Sequence, residues 1–364
     1  MSAAKLTIRA LRAVPVLVPM AFPLGTSADT ISEAPLVLID LETEEGVTGR
    51  SYLFCYIPGA APLVARMLGE ALAMIKGDAA APLDVSAKLQ KRFRLIGVQG
   101  IARMALAGID VALWDALAIA NGLPLGAMLG AGRRSIPAYN SNGLGLMTPE
   151  AAAEEAVALA EGGFRAVKLR LGYPALAEDM ARVRAVRKRL PDEIALMVDF
   201  NQALTLAEAK IRCRALDGEG IYWIEEPIRH DDYRGAAELT RETATPIQIG
   251  ENFSGPQAMA EALSVRACDF VMPDLERIGG VTGWRHAAGL AAAHGIETSS
   301  HLFPEVSAHL LAATPTAHWL EYVDWAAPIL QEPIRISNGE ALIPDRPGNG
   351  LQWDEAAVAR YRIA

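Results

Sequence analysis

A chain of 364 residues with 43 acidic and 34 basic side chains carries a net charge of −9 at neutral pH, so it offers no basic surface for nucleic acid or an anionic membrane. Hydrophobic residues make up 51% of it, enough for a large core shared between a barrel-sized domain and a smaller one. Cys55, Cys213 and Cys268 are odd in number, widely spaced and lack any C-x-x-C pair, which excludes a disulfide framework and a thiolate metal site and fits a reducing cytoplasm.

The first stretch, KLTIRALRAVPVLVPM, reads as a strand. The apolar segment from Ala13 to Ala28 follows Arg9 and Arg12 as a signal peptide would, but Pro15, Pro19 and Pro23 break a helical core. No other apolar run is long and uncharged enough to span a membrane. The segment APLVLIDLETEEGVTGRSYLF gives two further strands around a turn from Glu44 to Gly46, so residues 1 to about 56 form an antiparallel meander. From Pro62 to Ala131 the pattern becomes helical, in PLVARMLGEALAMIKG, SAKLQKRFRL and IARMALAGIDVALWDALAIANG, the last ending on the stop signal Asn121–Gly122. Residues 1–132 are expected to form a small α+β domain.

From Ile136 strands and helices alternate: IPAYNS, AVKLRL, three strands that end on acids, then DFVMPD, GIETSSH and AHWLEY. Eight strands close a (β/α) barrel, assigned to residues 133–325. Residues 326–364, rich in Pro and Gly, are expected to return to the first domain. The basic run from Arg182 to Arg189 reads as a solvated helix face.

The three acid-tipped strands are IALMVD ending at Asp199, IYWIEE carrying Glu225 and Glu226, and PIQIGE ending at Glu251. Asp199 and Glu225 are 26 residues apart, as are Glu225 and Glu251, which suits one buried strand, one crossover helix and two short loops per repeat. Acids at equivalent ends of neighbouring parallel strands converge on one face. A single acid there would more often cap the next helix. Three in phase point to a cation, and an all-oxygen donor set favours Mg²⁺. Glu226, one residue on, is expected to face the opposite way and to be structural.

Other strand ends carry complementary chemistry. Lys168 and Arg170 share one side of the second strand by the two-residue period. Asp274 and His301 end the sixth and seventh strands, where the carboxylate can fix the imidazole tautomer and leave the other nitrogen as a base. Glu321 ends the eighth and is a candidate proton donor. His230, His286, His294, His309 and His318 fall at loop or helix positions and receive no chemical role. A metal flanked by bases describes a site for removing the proton α to a carboxylate, where Mg²⁺ stabilises an enediolate.

The stretches APLVLIDL, GIDVALWDA, GFRAVKLRLGYPAL, MVDFNQ, WIEEP, GENFSGP, MPDLERIGGVTGW, SSHLF and SAHLLAATPTAHWLE resemble the mandelate racemase subgroup of the enolase superfamily over almost the whole chain. The resemblance implies a modified TIM (β/α) barrel with an α+β capping domain completed by the C-terminal segment. It implies Asp199, Glu225 and Glu251 as Mg²⁺ ligands and Asp274 with His301 as the general-base pair. Lys168 becomes a neighbour of the substrate carboxylate, Asn201 a polar partner and Glu321 the acid that hydrogen-bonds the enolic intermediate. A capping loop around Leu24 to Glu33, with Tyr56, covers the substrate; Asp29 and Ser141 complete the substrate-binding candidates. A small carboxylate substrate and a homo-oligomer are implied too.

Two departures stand out. The racemase pattern on the second strand is Lys-x-Lys, whereas this chain has Lys168, Leu169 and Arg170, and arginine does not readily give up its proton. The loop GTSADTIS carries Thr26, Ser27, Asp29 and Thr30 where the racemase loop is aliphatic, which suits a hydroxylated substrate. The expectation is a Mg²⁺-dependent enzyme acting on a 2-hydroxycarboxylate by racemisation or β-dehydration. A non-catalytic Mg²⁺-binding or regulatory descendant is the competing reading, and the intact Asp274, His301 and Glu321 speak against it.

Overall fold

The computed structural model describes residues 5–26 and 30–363. Strands β1 (Ile8–Gly25), β2 (Thr30–Thr43) and β3 (Thr48–Phe54) form an antiparallel sheet in that order. Helices α1 (Ala60–Ile75), α2 (Pro82–Phe93) and α3 (Gly100–Ala120) follow. Ala61, Val64, Leu68, Ala71 and Ile75 recur at helical spacing along α1, and this stripe packs into the same core as Val37, Ile39 and Leu41 of β2. Gly49 is needed where β3 crosses α3: a Cβ there would lie 1.9 Å from Ala112 O.

After a single turn, α4 (Leu125–Met128), the barrel begins. Its strands and helices run β4 (Ser135–Asn140), α5 (Pro149–Glu161), β5 (Ala166–Arg170), α6 (Leu176–Arg189), β6 (Ala195–Asp199), α7 (Leu206–Leu216), β7 (Ile221–Glu225) and α8 (Tyr233–Glu242). They continue as β8 (Ile247–Ile249), α9 (Pro256–Ser264), β9 (Phe270–Val271), α10 (Leu275–Ile278), α11 (Gly280–His294), β10 (Glu297–Thr298), α12 (Pro304–Ala312) and β11 (Leu320–Tyr322). Neighbours from β4 to β10 pair in parallel, and β11 pairs with β4. The Thr298–Ala317 bridge closes the ring between β10 and β11, with Thr298 N–H donating to Thr316 O at 2.8 Å. Tyr139, Met197 and Trp223 pack together in the interior, Tyr139 edge-on to Trp223 at 5.3 Å.

The chain leaves β11 through a short 3₁₀ turn, Ala327–Ile329, and then lays the hairpin β12 (Arg335–Ser337) and β13 (Glu340–Leu342) antiparallel on β4. The last helix, α13 (Glu355–Tyr361), docks on the first domain, where Ile363 N–H donates to Pro15 O at 3.1 Å and Trp353 Nε1 to Asp40 Oδ1 at 2.8 Å. The C-terminal segment thus lays its hairpin on the barrel strand β4 and its last helix on the first sheet.

One expectation is corrected on α6. Arg182 is 1% exposed and turns inward, donating to Arg170 O and Gly145 O, because its guanidinium is the nearest donor for carbonyls of the β5 end and the β4–α5 loop. Arg184, Lys188 and Arg189 do form a solvated face.

Candidate active site

Register brings the first groups together. Arg170, Asp199 and Glu225 are paired across β5, β6 and β7, so their side chains emerge at one level of the barrel mouth. Glu251 lies beyond the end of β8, where Gly250 at φ +133 turns the chain inward. Asp199, Glu225 and Glu251 each present a carboxylate oxygen within 4.8 Å of the others. Asp199 and Glu225 are buried at 1% and 0% exposure, and Glu251 keeps 13% of its side chain exposed.

Lys168 is the cation nearest this group, with Nζ 2.5 Å from Glu225 Oε1, 2.8 Å from Glu321 Oε1 and 3.4 Å from Asp199 Oδ2. Burial alone would lower its pKa, but Glu225, Glu321 and Asp199 raise it, so the ammonium stays charged. Burial pushes the Glu225 carboxyl well above its usual range despite Lys168. Glu321 goes the other way: burial would raise it, yet Lys168 and His301 hold it low. One lysine does not neutralise this many buried acids, and three converging oxygens fit a hard divalent cation. The donor set fits Mg²⁺.

Opposite stands the pair His301 and Asp274. His301 Nδ1 lies 2.7 Å from Asp274 Oδ2, while Asp274 Oδ1 accepts Glu276 N–H at 2.8 Å and Arg277 N–H at 2.9 Å. Asp274 is therefore both a helix cap and the partner of His301. His301 Nε2 points at the acids, 3.2 Å from Glu251 Oε2 and 3.9 Å from Glu321 Oε2. Burial would lower the imidazole pKa, but Glu251, Glu321 and Asp274 raise it to about 9. Tyr56, Asn201, Gln202, Glu226, Leu302 and Phe303 all hold positive φ around this mouth, a concentration of backbone strain typical of functional sites.

Lys168, Asp199, Glu251, His301 and Glu321 line one cavity of about 320 Å³ that also meets Asn201, Tyr56 and Arg170, while Glu225 and Asp274 stand behind its wall. Its cap side is apolar, formed by Leu24, Ile31, Phe54 and Ile57 with Trp325 from the tail. Of the capping-loop residues Thr26 reaches the cavity, beside these aliphatic and aromatic side chains. Asp29 and Ser27 lie outside the described residues.

Two further expectations are corrected. Ser141 does not face the cavity, because Arg170 Nη2 donates to its Oγ at 2.9 Å and Nη1 to its carbonyl at 2.8 Å. Glu226 does not turn away. The strand ends at Glu225, Glu226 takes φ +34, and Asn252 Nδ2 then bridges Glu226 Oε2 at 2.9 Å and Glu251 Oε1 at 3.0 Å.

Sequence reasoning missed Arg277, whose guanidinium lies 4.6 Å over the Tyr56 ring while Nη1 donates to Glu251 O at 3.1 Å and Asn252 Oδ1 at 2.6 Å. Its place three residues after Asp274 was the available signal.

Residues 8–130 match the mandelate racemase/muconate lactonizing enzyme N-terminal domain, and residues 151–357 match the enolase C-terminal domain-like family. The chain belongs to the mandelate racemase/muconate lactonizing enzyme family. It is 34% identical over 331 residues to L-talarate/galactarate dehydratase of Salmonella typhimurium, covering 90% of this chain and 82% of that one. A Bradyrhizobium enolase crystallised with magnesium and mandelic acid superposes with a TM-score of 0.95 at 42% identity, covering all of both chains. An alpha-proteobacterial enolase with bound magnesium gives 0.96 at 48% identity, covering 98% of this chain and 100% of that one. This family member is therefore a Mg²⁺-dependent enzyme of the racemase and dehydratase type. Among its described residues no helix is long and apolar enough to cross a membrane.

Proposed function

We propose that the enzyme removes the α-proton of a 2-hydroxycarboxylate with His301 as its one base, and that the product arises by β-dehydration, which needs one base and one acid, or by racemisation with solvent returning the proton to the opposite face. The observation that carries this reading is His301, held by Asp274, lining one cavity together with Asp199 and Glu251 of the Asp199–Glu225–Glu251 group. Asp274 accepts the Nδ1 proton, so Nε2 is the nitrogen that takes the substrate's α-hydrogen once a cation held by the acids offsets the negative charge of Glu251 and Glu321 that otherwise keeps the imidazole protonated. The electron pair then moves into the substrate carboxylate. Mg²⁺, when bound, would be held by Asp199, Glu225 and Glu251 and would supply positive charge that stabilises the enediolate. Lys168 adds a second positive charge. Glu321 completes the arrangement as the acid that hydrogen-bonds the enolic oxygen once it carries a proton.

Arg170 is assigned to orientation. Guanidinium groups stay protonated and match a carboxylate in shape. Its Nη1 is held by Ser141 O and Gly143 O, whereas its buried Nε–H has no partner among the described residues and is left for the substrate. Asn201 and Tyr56 are assigned to the substrate's polar edge, since both line the cavity and the buried Tyr56 hydroxyl is unpartnered among the described residues.

The wall of Leu24, Ile31, Phe54 and Trp325 favours an α-substituent that is alkyl or aryl. Asn201, Gln202 and Asn252 on the barrel side support a second reading, dehydration of a polyol acid. Buried free cysteines agree with a cytoplasmic setting, and the family likeness supports a homo-oligomer. The test is α-hydrogen exchange in D₂O over aryl, alkyl and polyol 2-hydroxy acids with Mg²⁺ present. Exchange restricted to one class assigns the substrate; no exchange from any would return the chain to the binding-protein reading.

A further inference from the structure

Asp274 and His301 each stand shortly before a helix of the barrel, α10 and α12, and each helix raises one buried carboxyl to the same strand of the cap. From α10, Glu276 Oε2 accepts Phe54 N–H at 3.2 Å. From α12, Glu305 Oε2 accepts the Tyr52 hydroxyl at 2.7 Å. Glu276 and Glu305 are 1% and 5% exposed.

The two contacts converge on β3 at alternate residues. Tyr52 also packs on Phe303 at 5.1 Å between centroids, two residues beyond His301. Phe54 contacts Tyr56 at 4.5 Å and Trp325 at 4.9 Å, so its ring sets the cavity wall. A path of direct contacts therefore joins the wall over the substrate to both members of the base pair: Phe54 to Glu276, whose own N–H is held by Asp274, and Tyr52 to Glu305 and Phe303 on the His301 side.

The chemistry of these carboxyls favours a neutral strut over a countercharge. No cation pairs with either among the described residues' ion pairs, and burial raises both pKa values, that of Glu276 further because Asp274 is close. A neutral carboxyl still accepts a hydrogen bond through its carbonyl oxygen.

We infer that Glu276 and Glu305 are positioning residues that fix strand β3 to the two arms of the base pair, so that docking of the cap and alignment of His301 are one event. The inference rests on the reading of His301 as the base. It predicts that the amide isosteres serve as well as the acids, because the amide carbonyl still accepts and no charge is required. Apolar replacements should fail, because they strand the Phe54 N–H or the Tyr52 hydroxyl without an acceptor.

The experiment uses the full-length Mg²⁺-loaded protein and compares Glu276→Gln, Glu305→Gln, Glu276→Leu, Glu305→Leu and the double Leu variant. The readouts are kcat and KM for α-hydrogen exchange, the thermal midpoint, and the NMR signal of the His301 Nδ1 proton. The Gln variants should stay within about threefold of the parent, as one hydrogen bond is retained. Each Leu variant should lose about tenfold or more in kcat and raise KM while remaining folded, with the His301 signal shifted or broadened. The double variant should lose less than the product of the singles, since both act on one strand. Gln variants as impaired as the Leu variants, or folded Leu variants with unchanged kcat, KM and His301 signal, would overturn the inference. The NMR readout separates this failure from that of the base assignment: exchange surviving in His301→Asn would sink the base reading alone, leaving the strut to be judged on the His301 signal.

Discussion

Asp274 holds His301 Nδ1 at 2.7 Å with one carboxylate oxygen and caps α10 through two backbone N–H groups with the other. The imidazole is thereby tied to a rigid helix start, not to a side chain free to rotate. Replacing Asp274 by Asn keeps the size but offers His301 an amide in place of the charged acceptor. Asp274→Asn should lower the α-exchange rate by roughly 10²- to 10⁴-fold, the scale known for a tautomer-fixing carboxylate. His301→Asn should abolish exchange outright. Neither substitution removes a proposed metal ligand, so calorimetric titration should find Mg²⁺ affinity little changed in both.

The acid group makes a separate prediction. Asp199→Asn and Glu251→Gln should each weaken Mg²⁺ binding, and EDTA should stop turnover. Because a ligand that binds only the native state stabilises it, Mg²⁺ at about 100 times its Kd should add roughly 2.7 kcal/mol to the parent's unfolding free energy. That increment should shrink in both variants. A melting temperature indifferent to Mg²⁺, in parent and variants alike, would remove the metal from these residues.

The parts of this site that were legible in the sequence were those fixed by strand register. Asp199 and Glu225 end paired strands, and Lys168 lies one alternation below Arg170, so counting residues located them. What followed the strand ends was not legible. Glu226 turns because its φ is positive, and Ser141 is taken by Arg170, whose guanidinium donates to its hydroxyl and to the carbonyls of Ser141 and Gly143. Neither fact follows from a two-residue period. The cavity wall depended on which face of the cap points down, and that was set by long-range contacts such as Phe54 with Trp325. Arg182 shows the same limit: helical periodicity predicted a solvated row, but unsatisfied carbonyls nearby drew one member inward.

His309 makes a prediction about stability and pH. It joins the barrel to α4 and the tail, with Nδ1 accepting Gly126 N–H at 3.2 Å and Nε2 facing Asn349 O at 3.2 Å. Burial lowers its pKa to about 4, outweighing the opposing hydrogen bond to Asn349. Between about pH 6.5 and 4 the unfolded chain then takes a proton that the native chain refuses. The contribution is complete above the unfolded pKa and is lost as pH falls through this window. From pH 7 to pH 5 this group alone should cost about 2 kcal/mol, at 1.36 kcal/mol per unit. His309→Gln should therefore lose less stability than the parent over that interval in urea unfolding. Parallel losses would place the neutral imidazole elsewhere.

The central claim is that one base, His301, acts on one face of the substrate while Arg170 only orients it. The most direct measurement is α-hydrogen exchange in D₂O, followed by NMR, on the separate R and S forms of an accepted 2-hydroxy acid with parent, His301→Asn and Arg170→Met enzymes. The account predicts exchange from one enantiomer, its loss in His301→Asn, and in Arg170→Met a raised KM on that same enantiomer. Comparable exchange from both forms, with one of them lost only in Arg170→Met, would contradict it and make Arg170 a second base.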